Sequence, residues 1–308
     1  MKRLILFFLP ILILADAHIF VLHRIGDNRY PSTNTSIKEL EYYLRYVTKN
    51  GYKVVTLSEL AKRIKEKKNI DKYVVFCADD GYKSFYKNGV PLFKKYKVPF
   101  SLFVYVKATT HKWGDFMTWQ QVKDASKYGE IGVHSYAHPH LAKLSNEEIR
   151  KDTLLAIKYF KKYLGYVPSS YAYPYGEYDE RVKNIISQYF EIIANQNPGA
   201  VNLNTPINDL DRIALTGKVN IAKKLKIKVL DVKNLKIKRD KDTILEVSGY
   251  VNKPYVNIYI TKYGWKGVRV KNGYFSFKPN FTLKRYRNRL IIRYNYEMIS
   301  KLLLKEGK

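Results

Sequence analysis

From His18 to about residue 215, short apolar runs alternate with amphipathic stretches. The seven segments "HIFVLHRI", "KVVTL", "YVVFCADD", "PFSLFVYV", "IGVHS", "SYAYP" and "FEIIAN" read as buried strands. Between them, "SIKELEYYLRYVTKN", "LSELAKRIKEK", "NEEIRKDTLLAIKYFKKYLG" and "DERVKNIISQYF" carry apolar residues at helical spacing. The third of these has a capped start in "LSNEEIRKD" and a glycine stop at Gly165. Strands each followed by a helix predict an α/β fold with a parallel sheet, closed or nearly closed into a (β/α) barrel over residues 18–220. After "LTGKVN" the texture changes. "ILEVSGYV", "VNIYITKY", "KGVRVKNGYFSF" and "RNRLIIRYN" alternate apolar and polar residues and are broken by "KNG" and "NKP". This predicts a small all-β sandwich over residues 225–308, with helical patterning returning only in the last few residues.

Composition narrows the partners. The chain has 308 residues, with 56 Lys and Arg against 27 Asp and Glu, a formal net charge of +29. Such a charge predicts attraction to anionic surfaces. Helix-turn-helix, finger and RNA-binding signatures are missing from the sequence, which argues against nucleic acid and for anionic envelope polymers or lipid headgroups. The single cysteine, Cys77, excludes an internal disulfide framework and a Cys-rich metal site.

The N-terminus suggests a compartment. A short basic region, Met1-Lys2-Arg3, precedes the apolar run "LILFFLPILIL" and then "ADA". This is the layout of a secretory signal peptide over residues 1–17, with an A-x-A-like cleavage site after Ala17. The run is about half the ~20 residues that a membrane span needs, so the mature chain is expected to have no transmembrane segment. The protein is therefore expected to be exported and to be periplasmic, envelope-associated or secreted.

Two features carry chemistry. "VVFCADDG" ends a strand on two adjacent carboxylates, Asp79 and Asp80, whose burial costs several kcal/mol unless positive charge faces them. Downstream, "GVHSYAHPHL" places His134 and His138 four apart just past another strand. Two imidazoles and one carboxylate form a facial set for a divalent metal, with positions left for water and substrate. Taken singly, an H-x-x-x-H pair is ordinarily a solvated loop and a D-D-G a capped turn. Together, on an alternating β/α chain, they point to a metal centre.

These residues resemble a known family. "CADDG" looks like the T-F-D-D-G motif, and "HSYAH" matches H-[ST]-x-x-H, of the polysaccharide deacetylase (NodB-homology) family. "YAYPYGEYD" resembles its third motif in the form seen in the poly-N-acetylglucosamine deacetylase branch. "VLHRI", "FMTWQQV" and "LDRIAL" agree in order and spacing, so the resemblance covers about residues 18–215. It implies a distorted (β/α) barrel with the site at the C-terminal ends of the strands. It also implies Asp80, His134 and His138 as metal ligands and Asp79 as catalytic base. By the same resemblance the backbone N–H of Tyr175 helps hold the oxyanion, Ser135 braces the histidine loop, and Trp119 matches a family position able to line a sugar groove. Zinc suits the ligand set, with cobalt or nickel as alternatives. Trp113, Tyr82 and Tyr136 join the groove candidates only by proximity in sequence.

The departures define the questions. Ala172 stands where many members carry an arginine that orients the base. No histidine follows position 140, so the usual downstream L-x-H acid is missing. His23 in "FVLHRIG" ends the first strand and takes that vacancy, as an N-terminal histidine does in the poly-N-acetylglucosamine branch. His111 and His140 are expected on loops, Cys77 as a packing residue, and His18 without a role. The C-terminal segment is similar to immunoglobulin-like accessory domains of extracellular glycan enzymes, which would either hold polymer or envelope or pack on the barrel. The expected activity is metal-dependent hydrolysis of N-acetyl groups from an extracellular or envelope polysaccharide, with poly-N-acetylglucosamine first and peptidoglycan second. A catalytically weak glycan-binding protein on the same barrel is the competing class.

Overall fold

The computed structural model describes residues 16–306. Eight strands make one parallel sheet: β1 (His18–Leu22), β2 (Lys53–Val54), β3 (Tyr73–Ala78), β4 (Ser101–Val104), β5 (Glu130–Val133), β6 (Ser170–Ala172), β7 (Ile192–Ala194) and β8 (Ile213–Ala214). Their spatial order is β8-β1-β3-β4-β5-β6-β7, with β2 also on β3. Closure comes from the segment running into β8. The Leu210 N–H and carbonyl bond to Ile193 and Asn195 on one side, while Ile213 and Leu215 bond to β1 on the other. All backbone groups of a short parallel strand find partners only in such a continuous ring.

Helices α1 (Ile37–Lys49), α2 (Leu57–Lys65), α3 (Val90–Tyr96), α4 (Trp119–Ala125), α5 (Asn146–Leu164) and α6 (Glu180–Ile186) lie between the strands. Apart from the two-residue strands β2 and β8, the strands are buried on both faces, so their residues divide by parity. Phe20, Val74, Phe76 and Leu102 pack outward on helical residues such as Leu40, Leu44 and Phe93. Ile19, Val75, Cys77, Phe103, Ala172 and Ala194 pack in the opposite layer with Leu57, Leu60 and Ile64 of α2. The helix α5 begins at an N-cap box, Ser145 with Glu148, and ends at Gly165 in the left-handed conformation. The periodicity had not marked α3 and α4. Pro91 reads as a breaker, yet it occupies the first turn, where its missing N–H costs nothing. Helix α4 is only seven residues long.

Beyond the short helix Ile221–Lys224, the chain forms strands β9 (Lys233–Asp240), β10 (Thr243–Tyr250), β11 (Tyr255–Ile260), β12 (Gly264–Arg269), β13 (Tyr274–Phe277), β14 (Arg287–Tyr294) and β15 (Glu297–Leu304). They make two antiparallel layers, β15-β14-β11-β12 and β9-β10-β13, around a core of their own that includes Val247, Val256, Ile258, Phe275, Leu290 and Ile292. The final residues, expected to turn helical, instead form β15, which pairs with β14 along its whole length and places Ile299 and Leu303 against the sandwich core. The sandwich is docked on the barrel by hydrogen bonds from Ser300 to the Pro198 carbonyl (2.8 Å) and from Arg287 to the Tyr175 carbonyl (3.0 Å). At the other end, the imidazole of His18 bonds the Ile227 carbonyl (2.8 Å) and Asp16 accepts the Val229 N–H (3.1 Å). Most of the proposed leader lies outside the described residues; its last two, Asp16 and Ala17, lie inside, and Ala17 exchanges two backbone hydrogen bonds with Val201. Among the described residues no helix is long and apolar enough to cross a membrane.

Candidate metal and catalytic centre

The strands β1, β3, β5 and β6 deliver their following residues to one rim of the barrel, in a cleft of about 480 Å³ lined by His23, Asp80, His134, His138, Tyr175 and Arg287 among others. β3 continues one step past Ala78, where the Asp79 N–H still bonds Leu22 of β1 at 2.9 Å. Asp80 then turns into the left-handed region (φ 70). Ser135, His138 and Tyr175 adopt the same conformation, at φ 62, 55 and 58. Such a backbone costs roughly 1–2 kcal/mol per non-glycine residue. Four occurrences around one cleft mark a site held in place by its surroundings.

That support can be traced atom by atom. Ser135 Oγ accepts the His138 N–H at 2.8 Å, as the bracing role implied. The Asp152 carboxylate, on α5, accepts the N–H groups of Tyr136 and Ala137 at 2.9 and 2.7 Å. His134 Nδ1 donates to the Ala172 carbonyl (2.8 Å), which fixes the tautomer and leaves Nε2 bare toward the cleft.

Asp80 Oδ1 lies 3.3 Å from His134 Nε2 and 3.1 Å from His138 Nε2, and the two Nε2 atoms are 3.3 Å apart. A regular tetrahedron with metal–ligand bonds of about 2.0 Å has edges of about 3.3 Å. The three donors therefore span one face of a coordination shell without rearrangement. They are the one metal-capable cluster among the described residues. With its donor set and spacing, the site fits a divalent cation.

Behind this face, Asp79 is fully buried and both its oxygens are taken by Arg212, at 2.7 and 2.8 Å, with Gln196 Nε2 at 3.3 Å. Burial raises the Asp79 carboxyl, but the Arg212 guanidinium, together with His134 and His23, outweighs it and holds the group below its ordinary value. Arg212 is itself fixed by its Nε bond to the Asn195 carbonyl (2.6 Å). The sequence had left the base without an orienting arginine at Ala172. Arg212, in the "LDRIAL" already noted as a family feature, supplies the charge from the closing segment of the barrel.

His23 sits at the end of β1 in the same cleft, with a buried Nδ1 that has no hydrogen-bond partner. Burial pushes its imidazole below the ordinary value, while Asp80 and Asp79 pull the other way. Tyr175 also lines the cleft. Its ring stacks on His140 at 4.4 Å and meets His138 edge-on at 4.5 Å. Tyr82 lines the cleft as well, packed on Phe116 and on the Arg24 guanidinium.

Other expected residues lie elsewhere. Trp119 is 8% exposed, stacked on Tyr163 at 4.9 Å with Phe160 against it, and its indole N–H bonds Thr110. It packs in the core and is not among the residues lining the cleft, so the substrate contact expected of it is not met. Tyr136 stacks on Tyr159. Burial pushes the Cys77 thiol up to about 12, which leaves it a neutral packing residue. His18 is not idle: it joins barrel to sandwich through Ile227. Glu177 was missed altogether. It is a buried carboxylate bonded to His140 Nδ1 at 2.6 Å.

The polysaccharide deacetylase family model matches residues 66–189, a span containing Asp79, Asp80, His134, His138 and Tyr175 but neither His23 nor Arg212. The poly-beta-1,6-N-acetyl-D-glucosamine N-deacetylase of Escherichia coli K12 is 25% identical over 195 residues, which are 49% of this chain and 29% of that protein. This chain therefore spans less than a third of that relative. Among solved structures, IcaB from Ammonifex degensii is 26% identical with a TM-score of 0.59, covering 66% of this chain and 92% of that one. The Streptococcus pyogenes deacetylase PplD, in complex with acetate, matches at a TM-score of 0.61 and 19% identity, over 66% of this chain and 93% of its own. The last likeness speaks for the fold. With the matched motifs converging on one cleft, the barrel carries a polysaccharide deacetylase domain.

Proposed function

We propose that the protein is an exported, metal-dependent N-deacetylase that removes acetyl groups from N-acetylglucosamine residues of an extracellular or envelope polysaccharide, with poly-N-acetylglucosamine as substrate. The observation that carries this reading is the Asp80–His134–His138 face standing beside an Asp79 held ionised by Arg212. The choice of polymer is supported by the likeness to the Escherichia coli enzyme and by a histidine at the end of the first strand.

Asp80, His134 and His138 would hold the metal. Bound there, a divalent ion lowers the pKa of water and polarises the acetamide carbonyl, and zinc suits the donors, with cobalt or nickel as alternatives. Asp79 takes the proton of the attacking water through a lone pair that Arg212 leaves free. The Tyr175 N–H donates to the oxyanion. His23 gives a proton to the departing nitrogen; burial lowers its imidazole, and Asp80 and Asp79 offset part of that effect. Water attacks the carbonyl carbon, the C–N bond breaks, and acetate and a free amine result.

The test is acetate release from poly-N-acetylglucosamine and from peptidoglycan side by side, with native, chelator-treated and His138→Ala protein. Release from the first polymer, abolished by chelator and restored by zinc, is expected, and His138→Ala should lose metal and activity together. Full metal content in that variant, or release that survives chelation, would overturn the assignment.

A further inference from the structure

We propose that the C-terminal sandwich completes the catalytic cleft through Arg287, which acts as a positioning residue for Tyr175; this rests on the deacetylase reading above. Arg287 opens β14, where it pairs with Leu304. The next residue, Asn288, is buried inside the sandwich and donates to the Arg285 carbonyl at 2.6 Å. Strand alternation then turns Arg287 the other way, onto the barrel rim. Its Nη1 donates to the Tyr175 carbonyl at 3.0 Å, and its Nε lies 3.4 Å from Glu177 Oε1.

Tyr175 needs such a partner. It is held at φ 58, ψ 4, which a tyrosine adopts only at a cost. The next residue, Gly176, is also left-handed and so close to Gln196 that a Cβ would come within 2.5 Å of its side chain. The backbone here is fixed on one side by Gln196, which also reaches Asp79, and on the other by Arg287. A charged donor on the carbonyl makes a stronger hydrogen bond than a neutral one. Glu177 adds a second tie. Its buried carboxylate joins Arg287 to His140, whose ring lies flat on the Tyr175 ring. Arg287 and its partners thus grip Tyr175 by carbonyl and, through His140, by side chain. The group whose N–H faces the reacting carbonyl is positioned by a different domain from the one that supplies the base and metal ligands.

The full-length protein with Arg287→Ala and Arg287→Lys tests this, with Ser300→Ala as a control that breaks a docking hydrogen bond outside the cleft. Removing one oxyanion donor outright lowers kcat by roughly 10²–10³. Loosening its support should lower kcat at least about tenfold in Arg287→Ala, with KM within about twofold, full metal content, and partial recovery in Arg287→Lys. Ser300→Ala should keep wild-type kcat. A rise in KM alone would mean that Arg287 touches the sugar instead, and unchanged kcat would mean that it only docks the domains; either overturns the proposal. If the wild-type protein released no acetate, the functional reading would fall, and the crystal structure of Arg287→Ala would still decide this one. Tyr175 should leave the left-handed region there, and an unmoved Tyr175 overturns the inference.

Discussion

The base of the centre is set by a partner far away in sequence. Asp79 and Arg212 are 133 positions apart, both fully buried, and neither is tolerable without the other. His23 has no such partner on its Nδ1, which leaves the ring free to exchange a proton. His23→Ala should keep metal content and melting temperature while cutting acetate release by about a hundredfold or more, within the range general acids contribute. Near-normal turnover would remove it from the mechanism. Asp211, next to Arg212, behaves differently. Burial raises its carboxyl from 3.8 to about 7, against the Asn195 hydrogen bond. The folded state thus favours its protonated form, so its contribution to stability is full below about pH 4 and lost as pH rises through 7. Asp211→Asn should flatten that dependence: the melting temperature of the variant relative to wild type should climb between pH 5 and pH 8. At this scale the sequence shows contiguous chemistry well. "CADDG", "HSYAH" and "YAYPYG" carry their meaning locally. Arg212 and Arg287 could not be assigned, because they reach Asp79 and Tyr175 across 133 and 112 positions, and only the closed barrel and docked sandwich bring them there.

Elements position the loops that hold these residues. The five-residue run from His134 to His138 contains two left-handed turns, and Asp152 on α5 ties its middle by two N–H bonds. Asp152→Ala would leave both donors without that acceptor in a nearly buried position. Because its carboxylate supports the ligand loop and not the metal, the expected result is a 10- to 100-fold loss of metal affinity with helix content retained, measured by metal titration and circular dichroism. Unchanged affinity would show that the loop holds itself. The strands were visible in the sequence because parallel strands buried on both faces appear as unbroken apolar runs. Short elements were not. The "KVVTL" run yields only Lys53–Val54 as strand, α3 hides behind Pro91, and the eighth strand is two residues long. The last strand carries a leucine run, "KLLLK", whose helical look is overridden by its pairing with β14.

The whole molecule carries +29 formal charges, and the sandwich holds a large share of its lysines and arginines. Electrostatic attraction of this kind is screened, with a Debye length of about 8 Å at physiological salt and about 3 Å at 1 M. Cosedimentation with anionic envelope fragments should therefore fall steeply between these conditions, while metal binding at the buried centre is unaffected. Retention at 1 M salt would mean that specific contacts, not net charge, hold the protein there.

The opening of β1 has a bearing on timing. Ala17 is fully buried and bonded on both sides to Val201, and Asp16 is engaged with Val229 of the sandwich edge. On the leader reading, the bond to be cut follows Ala17 directly. No peptidase can reach that bond once the barrel has closed over it. On that reading cleavage has to occur on a chain still unfolded as it emerges from export, and the contacts of residues 16 and 17 exist only in a precursor that escaped processing. On the same reading the mature protein keeps at that end the bond from His18 to Ile227 and the packing of Leu225 and Ile227 on the barrel core.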